Sequence, residues 1–281
     1  MLFDLHCHSN LSDGVLSPED LVSRAHEHGV THLALTDHDC VLGIDRATVQ
    51  AKALGMSLIS GIEYSSQWSK RGVHIVGLGI DHNHPVIKAS VEQQFILRQD
   101  RAEAIAVKLA KVGIPDALAG AKAYASADGL IARPHFAHFL VEQGHVSSVN
   151  QAFSRYLGQG KPADVKLAWP EMETVLGWIH AAGGLAVLAH PDKYKLTRTK
   201  QRALINAFVT LGGDAMEVLS GSAQPGAADY LAKLARERDL LASCGSDFHS
   251  PDQPWQELGR FGEMPANCEP IWEKLLTISA A

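Results

Sequence analysis

Short apolar runs rich in β-branched residues recur along the chain, each bounded by turn-forming residues. They predict strands at 2–5, 32–36, 57–62, 73–79, 185–189, 215–219 and 241–244. Helical patterns lie between most of them. Ser17-Pro18-Glu19-Asp20 opens one with an N-cap, a proline at the first helical position and early acids, and Gly29 closes it. Residues 172–182 form another, ended by Gly183-Gly184, and 227–238 repeat the scheme. Strand–helix alternation predicts an α/β protein with a parallel sheet and outer helices. Seven strands point to a barrel related to, but smaller than, the eight-stranded type; an open doubly wound sheet is the alternative.

The alternation breaks between about 90 and 167, where helical patterns follow one another at 100–112, 116–125, 134–143 and 147–157. Ile105, Leu109 and Val112 keep the 3.6-residue spacing, and Gly113 ends the first helix. The expected organisation is a barrel built from 1–98 and 168–281, with a helical insertion, 99–167, carried on one of its loops.

Composition narrows the classes. With 281 residues, 46% of them hydrophobic, the chain can bury a full core around one large domain. A net charge of −6 argues against coating nucleic acid, yet leaves room for a small anionic substrate, because bound metal ions reverse the sign of a single pocket. No leader is expected in MLFDLHCHS, and no run approaches the ~18 apolar residues of a membrane span. Cys7, Cys40, Cys244 and Cys268 form no C-x-x-C pair, so reduced thiols and a cytoplasmic location are expected. The unusual residue is histidine.

On the predicted scaffold, His6 and His8 follow the first strand, Asp37 and His38 the second, and Glu63 the third. His74 lies on the fourth, His190 follows the fifth, and Asp247 and His249 follow the seventh. In a parallel barrel those strand ends share one face, where active sites form. Two-residue spacing turns both rings of His6-Cys7-His8 the same way, and Asp247-Phe248-His249 repeats it. Taken singly, Asp13 reads as a turn residue and His74 or His190 as a core or capping histidine. Together, at matching strand ends, they predict a metal centre, since buried charge without a partner is rare.

These residues closely resemble the polymerase-and-histidinol-phosphatase (PHP) family of metallophosphoesterases. The resemblance rests on His6-Cys7-His8-Ser9, Ser12-Asp13-Gly14, Thr36-Asp37-His38-Asp39, Gly61-Ile62-Glu63, His74, Ala189-His190-Pro191 and Ser246-Asp247-Phe248-His249. It implies a distorted seven-stranded β/α barrel holding two or three divalent metals. The implied ligands are His6, His8, Asp13, His38, Glu63, His74, His190, Asp247 and His249, with Glu63 as the bridging carboxylate. Arg98-Gln99-Asp100-Arg101 and Ala132-Arg133-Pro134-His135-Phe136-Ala137 look like the subgroup that hydrolyses nucleoside 3′,5′-bisphosphates, some relatives of which trim short RNA from its 5′ end.

The resemblance further implies catalytic positions at Asp13, His38 and His249, and substrate contacts from these three with Gln99, Asp100, Arg101, Arg133 and His135. A mixed imidazole and carboxylate set suits Mn²⁺ first, with Zn²⁺, Fe²⁺ and Mg²⁺ compatible. Such ions would activate water and neutralise phosphate charge. Asp37 and Asp39 are expected to fix imidazole tautomers. Arg101 and Arg133 are candidates to grip the uncleaved phosphate bidentately, against a merely structural reading of each. Gln99 and Asp100 are expected near the start of the first insertion helix, whose free N–H groups bind anions. His135 reads as a substrate contact. Lys193, Lys195, Arg198, Lys200 and Arg202 read as a solvated face or a guide for an RNA tail. The general acid and the oligomeric state are not assigned. The expected substrate is a small nucleotide or short 5′-phosphorylated RNA. The alternatives are a phosphatase of the histidinol phosphate type, a nuclease on longer strands, or a non-catalytic metal-binding module.

Overall fold

The computed structural model describes residues 1–166, 168–221 and 226–278. Strands β1 (Phe3–Asp4), β2 (His32–Leu35), β3 (Ser57–Trp68), β4 (Arg71–Leu78), β5 (Leu185–Leu188), β6 (Ala215–Ser220) and β7 (Leu241–Gly245) lie side by side in chain order. The last returns to the first. The Leu5 N–H donates to the Cys244 carbonyl (3.1 Å), that of Asp247 to His6 (2.8 Å) and that of His8 to Phe248 (3.0 Å). This closure makes the sheet a barrel and removes the open-sheet alternative.

The expectation of an all-parallel barrel is corrected. β1–β2, β2–β3, β5–β6 and β6–β7 are parallel, but β3–β4 and β4–β5 are antiparallel. β3 runs on to Trp68 and turns through Ser69 and Lys70, both left-handed (φ 48° and 63°), the conformation of a tight two-residue hairpin. Because β4 runs backwards, its early part, carrying His74, reaches the end of the barrel where the parallel strands finish.

Helices α1 (Pro18–Glu27) and α2 (Ile44–Ala53) make the first two crossovers. α1 starts as the sequence indicates: the Ser17 hydroxyl accepts the Asp20 N–H, with Pro18 at the first position. Between β4 and β5 lie α3 (Pro85–Lys111), α4 (Ala117–Lys122), α5 (Arg133–Glu142), α6 (Val149–Ala152) with one wider turn at Phe153–Leu157, and α7 (Met172–Ala181). α8 (Arg198–Thr210), α9 (Ala227–Arg236) and α10 (Trp272–Ile278) follow. No helix among the described residues is long and apolar enough to cross a membrane.

The expected start of the first insertion helix near residue 100 is also corrected. α3 begins at Pro85, capped by the His84 imidazole, and runs for 27 residues. Gln99 and Asp100 therefore sit mid-helix, where backbone N–H groups are already bonded to preceding carbonyls, and they form no helix-end anion site. Leu167, the last residue of the expected insertion, lies outside the described residues.

Strand alternation positions the site. Ile59, Val76, Leu78, Val187, Ala215 and Leu219 belong to the apolar cluster inside the barrel, whereas Ile62, Tyr64, Ile75, Met216 and Val218 pack outward against helices. On the same parity as the inner set, Glu63, His74 and Glu217 also point inward. They form a polar layer above the apolar plug.

Candidate metal centre

Five imidazoles converge on one buried carboxylate. Glu63 Oε2 lies 3.2 Å from His6 Nε2, 3.3 Å from His8 Nε2 and 2.9 Å from His38 Nδ1. Its Oε1 lies 2.9 Å from His74 Nδ1 and 3.0 Å from His190 Nε2. Asp247 Oδ1 stands 3.3 Å from His8 Nε2 and 3.6 Å from His6 Nε2. Asp13 completes the set, with Oδ1 3.4 Å from His249 Nε2 and Oδ2 3.8 Å from His38 Nε2. All nine expected residues thus share one cluster, whose ligand atoms fall into four overlapping groups at coordination spacing.

The backbone is shaped to deliver them. Asp39, His190 and Asp247 all take left-handed φ values (49°, 28° and 54°), unusual for residues with side chains and typical of functional sites. At the β7–β1 junction, a Cβ on Gly245 would stand 2.3 Å from His6 Cβ, so only glycine lets His6 enter.

The donor set fits cations. His6 Nδ1 donates to Glu217 Oε1 (2.5 Å), and His249 Nδ1 donates to the Asp247 carbonyl (2.8 Å). With those protons committed, neutral His6 and His249 turn bare Nε2 lone pairs toward carboxylate oxygens, an arrangement that repels unless positive charge lies between. Glu63 Oε2 and Asp13 Oδ1 are buried and accept no hydrogen bond. The fields agree. Burial, the largest influence, would raise Asp13, Glu63 and Asp247, but the surrounding imidazoles hold all three well below the usual carboxylate range. Burial likewise pushes His6 and His249 down, yet their acidic neighbours lift His6 well above its ordinary value and His249 to about 9. His8 goes the other way, to about 3, because burial and then the His249 charge outweigh its acids.

Beside the cluster stands an arginine group. Arg98 is bound to Asp39 (2.6 Å) and stacks over Trp169 (5.6 Å), and Arg101 lies over the same ring (5.5 Å). Arg133 lies over Phe153 (5.7 Å) and feels the charge of Asp13. Burial, then repulsion from Arg133 and Arg98, pushes Arg101 down to about 9, and its Nε is buried without a partner. Such a group asks for an anion. His135 is buried and feels Asp13; its Nδ1 accepts the Ala132 N–H (3.0 Å). Gln99 and Asp100 are exposed; Gln99 lines a cavity beside Arg98, while Asp100 is not brought to the cluster.

The PHP domain model matches residues 4–200. The chain belongs to the PHP family. It is 49% identical over 272 residues to a 5′-3′ exoribonuclease of Haemophilus influenzae, covering 97% of this chain and 98% of the relative. It is 39% identical over 272 residues to the 3′,5′-nucleoside bisphosphate phosphatase of Chromobacterium violaceum, covering 97% and 95%. Among solved structures, an amidohydrolase from Chromobacterium violaceum, with bound sulfate and no metal, superposes with a TM-score of 0.94 at 38% identity, over 99% of this chain and 97% of that one.

In this PHP site the supporting residues differ from those expected. Asp37 accepts from Ser9 N–H (2.7 Å) and from the Ser9 (2.6 Å) and Ser12 (2.7 Å) hydroxyls, so it fastens the loop carrying His8 and Asp13. Asp39 accepts from Ser65 N–H, Gln94 and Arg98. Neither fixes an imidazole, which corrects that expectation. Glu217 does so instead, holding His6 through one oxygen and the His190 N–H through the other (2.6 Å). An acid inside Ala215-Met216-Glu217-Val218-Leu219 is the signal that could have found it, the same anomaly as Glu63. Lys193, expected on a solvated basic face, instead donates to Asp247 Oδ2 (2.8 Å), and Gln256 donates to the Asp247 carbonyl (3.0 Å).

Proposed function

We propose that this PHP protein is a metal-dependent phosphoesterase that removes the 3′-phosphate of nucleoside 3′,5′-bisphosphates and trims short RNA from its 5′ end by the same chemistry. The observation that carries the reading is the pairing of two sites of opposite demand: a cluster short of positive charge beside arginines short of negative charge. A substrate with two phosphates satisfies both. In a bisphosphate the cleaved phosphate carries no second ester; in RNA it carries the next nucleotide. The name of the Chromobacterium relative supports the first variant and that of the Haemophilus relative the second.

His6, His8, Asp13, His38, Glu63, His74, His190, Asp247 and His249 would hold two to three divalent ions, Mn²⁺ first by the mixed donor set. When bound, the ions supply Lewis acidity and an activated water. The protein's own groups do the positioning. Glu217 and the Asp247 carbonyl fix which nitrogen His6 and His249 turn inward. Arg101 and Arg133 bind the 5′-phosphate, aligning the 3′ side with Asp13, His38 and His249. Helices α3 and α5 supply these substrate contacts.

Arg133→Ala tests the reading. Losing a desolvated charge-assisted grip costs about 2–4 kcal/mol, roughly 30- to 1000-fold in kcat/KM on adenosine 3′,5′-bisphosphate. The same variant should lose far less on a plain 3′-phosphate. An equal loss on both substrates would remove the 5′-phosphate assignment.

A further inference from the structure

Against Asp13 lies a cavity of about 300 Å³, with Asp13 and Gly14 on the barrel side and Pro134 and His135 on the α5 side. That volume is at the small end of ligand pockets. The cavity adjoins the cluster through Asp13, and its far wall is the start of α5, the helix that carries Arg133. If a nucleoside bisphosphate is held as proposed above, this cavity beside Asp13 is a space open to its nucleoside.

The wall has the chemistry of a base platform. Tyr124 stacks on His138 with ring centroids 5.6 Å apart and an interplanar angle of 27°, and both line the cavity. Tyr124 is 39% exposed, so its ring is backed by one neighbour and still open to another. Open aromatic faces of this kind bind bases by stacking. One fixed donor adjoins it. His135 Nδ1 accepts the Ala132 N–H, which puts the ring proton of the neutral imidazole on Nε2. The ring is 5% exposed and lines the same cavity, so it offers a pre-set donor to a sugar oxygen.

We infer that Tyr124, backed by His138, is the stacking platform for the nucleobase of the 5′-terminal nucleotide, and so determines that nucleotides are preferred over base-free sugar phosphates. This inference rests on the two-phosphate reading. Stacking accepts any base, so all four should bind, with purines favoured by their larger faces.

Calorimetry on the purified protein with adenosine 5′-monophosphate and with ribose 5-phosphate tests it, since neither ligand carries a 3′-phosphate and they differ only in the base. Wild type should bind the nucleotide roughly 5- to 100-fold more tightly, the worth of one stacked base. Tyr124→Ala should erase that ratio by weakening only the nucleotide, and Tyr124→Phe should keep it. Equal affinities in wild type, or an unchanged ratio in Tyr124→Ala, would overturn the platform while leaving the phosphate grip intact. Wild type binding neither ligand would overturn the two-phosphate reading together with this one.

Discussion

An imidazole presents to a metal whichever nitrogen its other partner leaves free, so one hydrogen bond outside the cluster sets the chemistry inside it. Glu217 makes that bond to His6 and a second to the His190 backbone, tying two cluster residues through one side chain. Glu217→Gln keeps the shape but loses the charge that holds the Nδ1 proton. Metal affinity, read by competition with a chromophoric chelator, should fall about 10- to 100-fold. An unchanged affinity would make Glu217 mere filling. The cluster itself was legible in the sequence because two-residue spacing and strand-end position mark residues that share a face. Glu217 was missed because it lies within its apolar run, whereas Glu63, the same anomaly, stands at the end of one. Asp37 and Asp39 misled for a related reason. Adjacency to His38 suggests contact, but their side chains lead away to Ser9 and Ser12, and to Gln94 and Arg98.

Among the elements, α3 couples the barrel to the helical layer. Ile87 enters the cluster packed outside the barrel, Gln94 and Arg98 reach Asp39, and Ala102, Ile105 and Leu109 join the core of the inserted helices. The middle of its buried face is polar at Ser90, Gln94 and Arg98, so hydrophobic periodicity shows only the second half of the helix. That is why its start was misplaced, whereas the apolar stretches of the seven strands were readable, and only the polar second half of β3, beyond Ile62, was not. The direction of β4 was hidden too, because alternation fixes a strand's faces but not its heading. Arg98→Met should leave Asp39 as a buried charge without its partner, costing about 3–5 kcal/mol in urea unfolding. Adding Asp39→Asn should recover part of the loss. A cost under about 1 kcal/mol would mean that water replaces the pair.

Across the whole molecule, the cluster makes stability depend on pH in opposite senses with and without ions. In chelated protein, His249 with its pKa lifted to about 9, and His6 held well above its ordinary value, stabilise the fold fully below about pH 6.5, the ordinary histidine value. The His249 contribution disappears as pH rises through 9. Asp13, Glu63 and Asp247, held low, stabilise above about pH 4 and fail as pH falls further. His8, pushed down to about 3, works against the fold as pH falls below 6.5, so chelated protein should have its highest Tm near pH 6.5 and a lower one at pH 9. With Mn²⁺, which needs neutral imidazoles, the gap between loaded and chelated Tm should widen toward pH 9. Thermal melts at pH 6 and 9, with and without EDTA, read both, and a chelated Tm that does not fall by pH 9 would contradict the field described here. The closing junction of the barrel has a consequence in time as well as space. His6 and His8 emerge first during synthesis, but Asp247 and His249 join them only when β7 docks beside β1. A chain in which β7 has not yet docked carries seven of the nine metal-competent side chains in place, without Asp247 and His249. The groups that use Asp247 and His249 exist only once β7 lies beside β1, so ion binding there reports that these two strands have met.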